Sequence, residues 1–496
     1  MMKLVDDFLN NITMYRLVLY FLIVLSVVGL IYSMFGVIAM DPVAYIFSFT
    51  FLLFAGYVAN WFFAWAFDAP TNVESVWISA LILGLIIAPP KNIIDVAFIG
   101  WAATLTMASK FILAINKKHL FNPVAIAVAI TAFAINGNAN WWVGSAAMLP
   151  VVAIGGFLIV RKIRRWDLVL SFLGAALLTV SVAGILKGAN MITFMQRSIV
   201  DSPLIFFAVI MLTEPLTTPP TKYLRIIYGA LVGFLFAPQV HFGSFFTTPE
   251  IALVIGNIFA YVVSPKYKLI LKLKQRLQLT PDTFDFIFTP DEPIRFTPGQ
   301  YMEFTFEHPA VDDRGNRRYL SLASSPTESD IRLGIKFGNP PSSFKRNLLS
   351  MTPDKKIIAS QLIGDFTLPK DATKKLVLIA GGIGITPFRS MLKYLIDKNE
   401  KRDIVLVYTA KTDNEFVYKD VISEATTKLG MRVIYNDSEV HGHLNPTIMS
   451  QEIPDYKDRT YYVSGSHGVV TSFEQILKDM QIPRSQIITD YFPGFA

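Results

Sequence analysis

Through residue 265 the chain consists of long apolar runs interrupted by prolines, glycines and short charged clusters. A helix that spans a bilayer needs about 20 mainly apolar residues. The interruptions predict ten such helices, at residues 17–38, 43–67, 73–90, 93–114, 121–136, 141–160, 167–186, 203–220, 226–240 and 249–264. With the N-terminus in the cytoplasm, the cations Lys117, Lys118, Arg161, Lys162, Arg164, Arg165, Lys222, Arg225, Lys266 and Lys268 fall on the inner side. The opposite side has loops such as Asn136 to Asn140 with no cation, which is the charge bias expected of an inner-membrane orientation. The first apolar run lacks a small-residue cleavage pattern and is read as a retained helix. Ten helices would return the chain to the cytoplasm and could form two inverted sets of five.

After Lys266 the pattern changes to alternation, as in Phe284, Phe286 and Phe288, followed by the turn Pro298-Gly299-Gln300. Period two marks half-buried strands. From about residue 374 strands and helices alternate: Leu376 to Ala380, a glycine turn, Phe388 to Ile396, then Ile404 to Tyr408. That order predicts a parallel α/β sheet. The expected fold class is therefore multi-domain. An α-helical membrane domain spans 1–265, an antiparallel β-barrel domain 266–373, and an α/β nucleotide-binding domain 374–496.

Composition agrees with this division: 52% of the chain is apolar and 17% charged, too apolar for an ordinary soluble enzyme. Residues 1–265 hold 14 Lys+Arg and 10 Asp+Glu, leaving 31 and 28 for the remainder. The net charge of +7 does not indicate nucleic acid, because the membrane-half cations sit in clusters beside apolar runs, where bilayer orientation accounts for them. The sequence contains no cysteine, which excludes disulfides, a thiol nucleophile, Cys-ligated iron–sulfur clusters and thiolate zinc. No metal site is expected.

The strongest local motif is Gly381-Gly382-Ile383-Gly384-Ile385-Thr386-Pro387, between a strand and a helix. Glycines let a backbone approach a phosphate, and a helix start offers free N–H groups to an anion. A bare strand-to-helix turn is the alternative. The second motif is Arg318-Tyr319-Leu320-Ser321-Leu322-Ala323-Ser324-Ser325-Pro326. Its arginine can meet a diphosphate through two N–H groups, and a serine on an extended segment can reach a flavin ring. A solvated strand is the alternative here. Ser342-Ser343-Phe344-Lys345 precedes a helix expected at Asn347 to Met351, where serines could serve only as caps.

In this order, these motifs resemble the ferredoxin-NADP reductase superfamily over residues 266–496. Further matching segments are Pro298-Gly299-Gln300-Tyr301, Gly364 to Pro369, Ser464-Gly465-Ser466 and the aromatic tail Tyr491 to Phe495. The resemblance implies FAD in the barrel, with Arg318 on its phosphates, Tyr319 and Ser321 at the ring, and Ser342 and Ser343 nearby. It also implies NAD(P)H on Gly381, Gly382, Gly384, Thr386, Pro387 and Gly465, with Ser321 and Ser464 at the reacting centre. Two positions depart from the family pattern. Leu320 replaces an aromatic, which Tyr319 could compensate, and Ser464 replaces a cysteine.

Residues 70–265 resemble the B subunit of sodium-pumping NADH:quinone oxidoreductase and the D subunit of the Rnf complex. The carrying residues include Ser109-Lys110, Lys118 to Pro123, Gly144-Ser145, Trp166, Thr213-Glu214-Pro215-Leu216-Thr217-Thr218 and Gly256-Asn257. Relatives attach a flavin covalently to a threonine in a Ser-Gly-Ala-Thr type motif, which does not occur here. A non-covalent second flavin, FMN or riboflavin, or a quinone is the expected membrane carrier. Asn122, Glu214, Thr217 and Thr218 form the candidate electron and proton site, since an intramembrane acid is costly and by default functional. Two alternatives are structural: Asn122-Pro123 merely starts a helix, and Lys222 or Arg225 merely neutralises Glu214.

The sequence therefore predicts an NAD(P)H-dependent, FAD-containing membrane oxidoreductase, with both termini and the soluble module cytoplasmic. Its electrons would pass to a quinone, a second flavin or an acceptor across the membrane. A transmembrane haem relay is disfavoured, because the membrane half has only His119 and His241 and no axial pair within helices. From a different class, the membrane half could be a transporter or carrier regulated by a flavin sensor. Lys411 would favour a 2′-phosphate on the nucleotide, and Asp413 and Glu415 would oppose it.

Overall fold

The computed structural model describes residues 5, 8–9, 12–67, 73–115, 118–243, 245–264, 268–308, 311–312, 314–338 and 340–492. The chain separates into two compact units, Met1–Lys266 and Tyr267–Ala496. Lys117, Lys266 and the end of the aromatic tail lie outside the described residues.

The first unit is helical. Its described helices are α1 (Met14–Met34), α2 (Pro42–Ala66), α3 (Val73–Ile86), α4 (Ile93–Ile112), α5 (Pro123–Ile135), α6 (Leu149–Ile163), α7 (Trp166–Leu186), α8 (Met191–Val200), α9 (Leu204–Phe206), α10 (Lys222–Phe236) and α11 (Pro249–Val263). Among the described residues four helices, α1, α2, α4 and α7, are long and apolar enough to cross a membrane. A fifth span results if α8 and the segment Leu204–Met211, bent by 53°, count as one. Phe54, Trp61, Trp65, Leu178 and Leu186 are exposed on these helices, an outward apolar surface suited to lipid.

The remaining expected spans are shorter or broken. Helices α3, α5 and α11 have 14, 13 and 15 residues, so each rises only about 20 Å against a hydrocarbon core of about 30 Å. Prolines set these lengths: Pro89 and Pro90 follow α3, while Pro123 and Pro249 sit in the first turns of α5 and α11. Residues 203–220 are not one helix. They form α9, a π-helical turn at Phe207–Met211 and a 3-10 turn at Pro215–Thr217, because Pro215, Pro219 and Pro220 cannot donate to a helical ladder. The 141–160 segment likewise begins as a 3-10 turn, Trp142–Gly144, before α6. Helix α8 was not foreseen, since Thr193, Gln196, Arg197 and Ser198 interrupt its apolar character. Glycines allow α10 to lie tightly on α7: a Cβ on Gly233 would stand 2.4 Å from the Phe172 carbonyl oxygen.

The second unit begins with strands β1 (Lys268–Thr280), β2 (Thr283–Pro290), β3 (Tyr301–Thr305), β4 (Arg317–Ser321) and β5 (Ile331–Lys336), helix α12 (Ser343–Leu349) and strand β6 (Lys356–Ile363). The sheet order is β4-β3-β6-β1-β2-β5, antiparallel throughout. Just past edge strand β4, Ala323 N–H donates to the Arg332 carbonyl on edge strand β5 at 2.9 Å, so the two edges meet. Phe286, Phe288, Phe304 and Leu333 fill the interior. Helix α12 starts four residues earlier than the sequence suggests, because Ser342 caps it.

The α/β part follows as β7 (Leu376–Gly381), α13 (Thr386–Lys398), β8 (Ile404–Ala410), α14 (Lys419–Leu429), β9 (Arg432–Asp437), α15 (Pro446–Glu452), β10 (Thr460–Ser466), α16 (His467–Asp479) and β11 (Ile487–Phe492). Its parallel sheet has the order β9-β8-β7-β10-β11. Strand order reverses between β7 and β10, and in open parallel sheets ligands bind outside the carboxyl ends of the strands at such a reversal.

Candidate functional site

On β4 the side chains alternate, so Arg318 is buried while Tyr319 points outward. The Arg318 guanidinium Nη1 donates to the carbonyls of Arg314 at 2.7 Å, Gly315 at 3.2 Å and Arg317 at 2.6 Å, and its plane lies 5.2 Å from the Phe344 ring centre. Burial lowers its pKa to about 10; Asp312 opposes this and Arg314 adds to it. Lys345 is lowered to about 8, first by burial and then by the positive charges of Arg318 and Arg314. Three cations thus lie close together, with Lys345 Nζ donating to the Lys336 carbonyl at 2.7 Å, and a bound diphosphate would relieve their repulsion. Asp312 lies beside them: its Oδ2 accepts from Ser343 N–H at 2.7 Å and from Arg314 Nη2 at 2.9 Å. Burial raises the Asp312 pKa, but these hydrogen bonds outweigh it and leave the carboxyl at about 2.

Ser342 Oγ accepts from Lys345 N–H at 3.3 Å, the capping role that the sequence left open, and Ser343 Oγ accepts from Asp312 N–H at 3.0 Å. Ser321 is different: its Oγ is buried with no hydrogen-bond partner among the described residues. Gln361 lies nearby on bulged strand β6 with φ +53°, accepting from Tyr319 Oη at 3.4 Å while its own Nε2 is buried and unpartnered. The Tyr319 ring meets Tyr301 edge-on at 5.9 Å, leaving an aromatic surface beside Ser321, which pairs with Tyr301 across the sheet. Orphaned donors beside partly exposed rings and a cluster of cations fit the ring and diphosphate of FAD.

A pH dependence follows for Lys345. Its folded pKa is depressed below that of a free lysine, and a diphosphate would restore its charge, so binding takes up a proton above pH 8. Flavin affinity is expected to be level below pH 8 and to fall above it, by at most about ten-fold per pH unit for one coupled proton. Titration of flavin retention against pH in wild type and Lys345→Met checks this: the slope should flatten in the variant.

The glycine loop lies at the reversal of strand order. Gly382 has φ +54°, a conformation that disfavours side chains. At Gly384 a Cβ would stand 2.3 Å from the Ser464 carbonyl oxygen and 2.6 Å from Gly465 Cα. The loop therefore packs directly on the end of β10, where Ser464 pairs in register with Ala380. Thr386 Oγ1 donates to the Ile383 carbonyl at 3.2 Å, and Pro387 occupies the first turn of α13. Ser464 Oγ is fully buried with no partner among the described residues. The structure thus brings Gly381, Gly382, Gly384, Thr386, Pro387, Ser464 and Gly465 to one place, as a nicotinamide nucleotide site requires. Lys411 pairs with Glu439 at 3.3 Å, Asp413 with Lys419 at 3.3 Å, and Glu415 with Lys336 at 2.7 Å.

In the membrane unit Asn122 caps α5, accepting from the N–H groups of Val124 and Ala125 at 3.1 and 3.0 Å. It does more than cap: its Nδ2 donates to Glu214 Oε2 at 2.9 Å, and its own N–H donates to Asn257 Oδ1 at 2.8 Å. Asn257 Nδ2 donates to Tyr228 Oη at 3.1 Å. Thr217 Oγ1 reaches Glu214 Oε2 at 3.4 Å, whereas Thr218 Oγ1 turns to the Pro215 carbonyl at 3.2 Å. Arg225 pairs with Asp167 at 2.7 Å. The broken segment and the α5 start therefore meet in one polar cluster, to which Asn257 and Tyr228 also belong. A buried acid outside this cluster, Glu250, accepts from Trp141 Nε1 at 2.7 Å; its place at the start of α11 gave no sequence signal beyond a helix N-terminus.

Residues 91–267 match the NQR2, RnfD, RnfE family, and residues 378–474 match the oxidoreductase NAD-binding domain. A flavohemoprotein of Oceanobacillus iheyensis is 28% identical over 242 residues, covering 46% of this chain and 58% of that protein. The chain thus spans little more than half of that relative. The human oxidoreductase NAD-binding domain-containing protein 1 is 28% identical over 232 residues, covering 40% and 72%. The FAD/NAD-binding domain of nitric oxide dioxygenase from Vibrio cholerae superposes with a TM-score of 0.41 at 17% identity, covering 45% of this chain and 98% of that domain. One polypeptide therefore joins a region that matches the NQR2, RnfD, RnfE family to a region that matches the oxidoreductase NAD-binding domain.

Proposed function

We propose that this protein oxidises NAD(P)H at an FAD held by residues 267–373 and delivers the electrons to an organic carrier in its membrane domain. The observation that carries the reading is that two buried hydroxyls without a partner among the described residues, Ser321 and Ser464, accompany a cluster of the cations Arg318, Arg314 and Lys345 and a glycine loop at the strand reversal. Bound FAD would supply a two-electron acceptor able to pass electrons on singly. Arg318, Arg314 and Lys345 would hold its diphosphate, with Ser321 and Gln361 hydrogen-bonding its ring. The loop Gly381–Pro387 would seat the nucleotide diphosphate, and Ser464 would position the nicotinamide. A cytoplasmic reductase module is part of this reading, supported by the cation clusters at residues 117–118, 161–165 and 222–225 in the sequence.

In the membrane domain Glu214, hydrogen-bonded by Asn122 and Thr217, would hold a quinone or a second flavin and take the proton that accompanies its reduction. Glu214→Gln in the full chain is expected to leave flavin bleaching by NADH unchanged and to lower quinone turnover by roughly 10²-fold, the scale of a lost acid–base group. Stopped-flow bleaching and steady-state quinone reduction measure the two steps separately, and flavin content per chain separates a second flavin from a quinone. Unchanged quinone turnover would remove Glu214 from the path. Absence of continuous NAD(P)H oxidation in wild type would favour a flavin-sensing transporter.

A further inference from the structure

The first turns of α13 reach back to the flavin segment. Arg389 Nη1 donates to the Ala323 carbonyl at 2.7 Å and to Glu328 Oε2 at 2.7 Å, and its Nη2 donates to Glu328 Oε1 at 3.0 Å. The next residue, Ser390, donates through Oγ to the Ser324 carbonyl at 2.6 Å. Ala323 and Ser324 lie two and three residues beyond Ser321, and Arg389 lies two residues beyond Pro387. A second set of contacts backs the first. Arg332 Nη1 binds Asp285 at 2.9 Å, and Tyr418 Oη donates to the other Asp285 oxygen at 3.2 Å. The Arg389 guanidinium lies 5.5 Å from the Tyr418 ring centre. On strand β5 a Cβ at Gly334 would stand 2.5 Å from Tyr418 Oη and 2.7 Å from Thr386 Cγ2.

We propose that Arg389 is a positioning residue that sets the spacing between the Ser321 segment and the Gly381–Pro387 loop; this rests on the reading that these segments hold flavin and nicotinamide. The loop is held on three sides: by Gly334 of β5, by the Ala323–Ser324 carbonyls through Arg389 and Ser390, and by the Ser464 carbonyl against Gly384. Movement at the start of α13 must therefore change the separation of the two segments. One guanidinium serves a carbonyl and both oxygens of a carboxylate, a planar set of contacts that a lysine ammonium cannot reproduce. A stabilising ion pair alone would not need the bond to Ala323 O, which ties Arg389 to the segment carrying Ser321.

The test uses the full chain in detergent, loaded with FAD. Wild type must first bleach with NADH; if it does not, the flavin–nicotinamide reading fails independently of Arg389. Given bleaching, Arg389→Gln is expected to retain FAD and to bind NAD+ with little change. Its limiting bleaching rate should fall about 10²-fold, the effect of a displacement near 1 Å between reacting groups, with Arg389→Lys intermediate. Hydrogen–deuterium exchange across residues 322–326, measured without nucleotide, should quicken in Arg389→Gln. An unchanged limiting rate and unchanged exchange would overturn the proposal. So would a rate loss explained wholly by lost flavin. Should Arg389→Gln not fold, Gly334→Ala displaces Thr386 and Tyr418 without altering charge, and a normal rate in that variant overturns the proposal equally.

Discussion

Gly384→Val should abolish reduction of the flavin by NAD(P)H while leaving the flavin bound. The first added atom would fall 2.3 Å from the Ser464 carbonyl oxygen, a backbone atom inside a parallel sheet that has no room to retreat. Either the loop or the end of β10 must move, and both belong to the proposed nucleotide site. Reacting atoms must approach to about 3–3.5 Å, so a shift of this size should lower the limiting rate by about 10²-fold or more. Gly382→Ala gives the contrast. That position has φ +54° but nothing within 4 Å of the added carbon, so the variant should show backbone strain without a collision and a much smaller loss. Stopped-flow bleaching of both variants beside wild type decides the matter, and a normal rate in Gly384→Val would remove the loop from the nucleotide site.

Loss of flavin is the expected result of Arg318→Ala. The side chain is buried, bonded to three carbonyls and stacked on Phe344, so it is held in place before any ligand arrives. Charge-assisted hydrogen bonds contribute about 1.5–3 kcal/mol, which corresponds to roughly 10- to 150-fold weaker binding when they are removed. Arg318→Lys should recover only part of this, since an ammonium cannot make the planar, forked contact. The measurement is the flavin-to-protein ratio after gel filtration, together with a dissociation constant from flavin fluorescence. Retention equal to wild type in Arg318→Ala would mean that the cation cluster does not hold the diphosphate. Lys345 and Arg314 would then need another explanation for their convergence.

The local elements of this protein were readable from its residues, because their causes are local. Strand-to-helix punctuation at Gly381–Pro387 follows from glycine freedom and a proline suited to a first turn. The alternation of Phe284, Phe286 and Phe288 on β2 follows from one face packing into the antiparallel sheet's core, although Asp285 and Ile287 on the other face are buried as well. The start of α5 at Asn122-Pro123 follows from capping chemistry. Helix length in the membrane unit was less legible. Hydropathy reports that a segment is apolar, not that its backbone ladder is continuous, so 203–220 scored as a span although three prolines break it.

Tertiary structure alone decided which distant groups meet. Asn122 and Glu214, 92 positions apart, were grouped in one candidate site from the sequence, but only the fold supplies their contact, with Asn122 Nδ2 2.9 Å from Glu214 Oε2. Arg389 and Asp285 carried no signal in the sequence; both are buried, Arg389 donating to the Ala323 carbonyl and Asp285 accepting from Tyr418 Oη, contacts between the antiparallel sheet region and the α/β part. Gln361 owes its candidacy to a bulge and a positive φ, which no residue pattern announces. Short-range sterics and hydrogen bonding act within a few residues and so can be read along the chain. Ion pairs, orphaned hydroxyls and close backbone approaches depend on which surfaces come to face each other, and only the folded arrangement determines that.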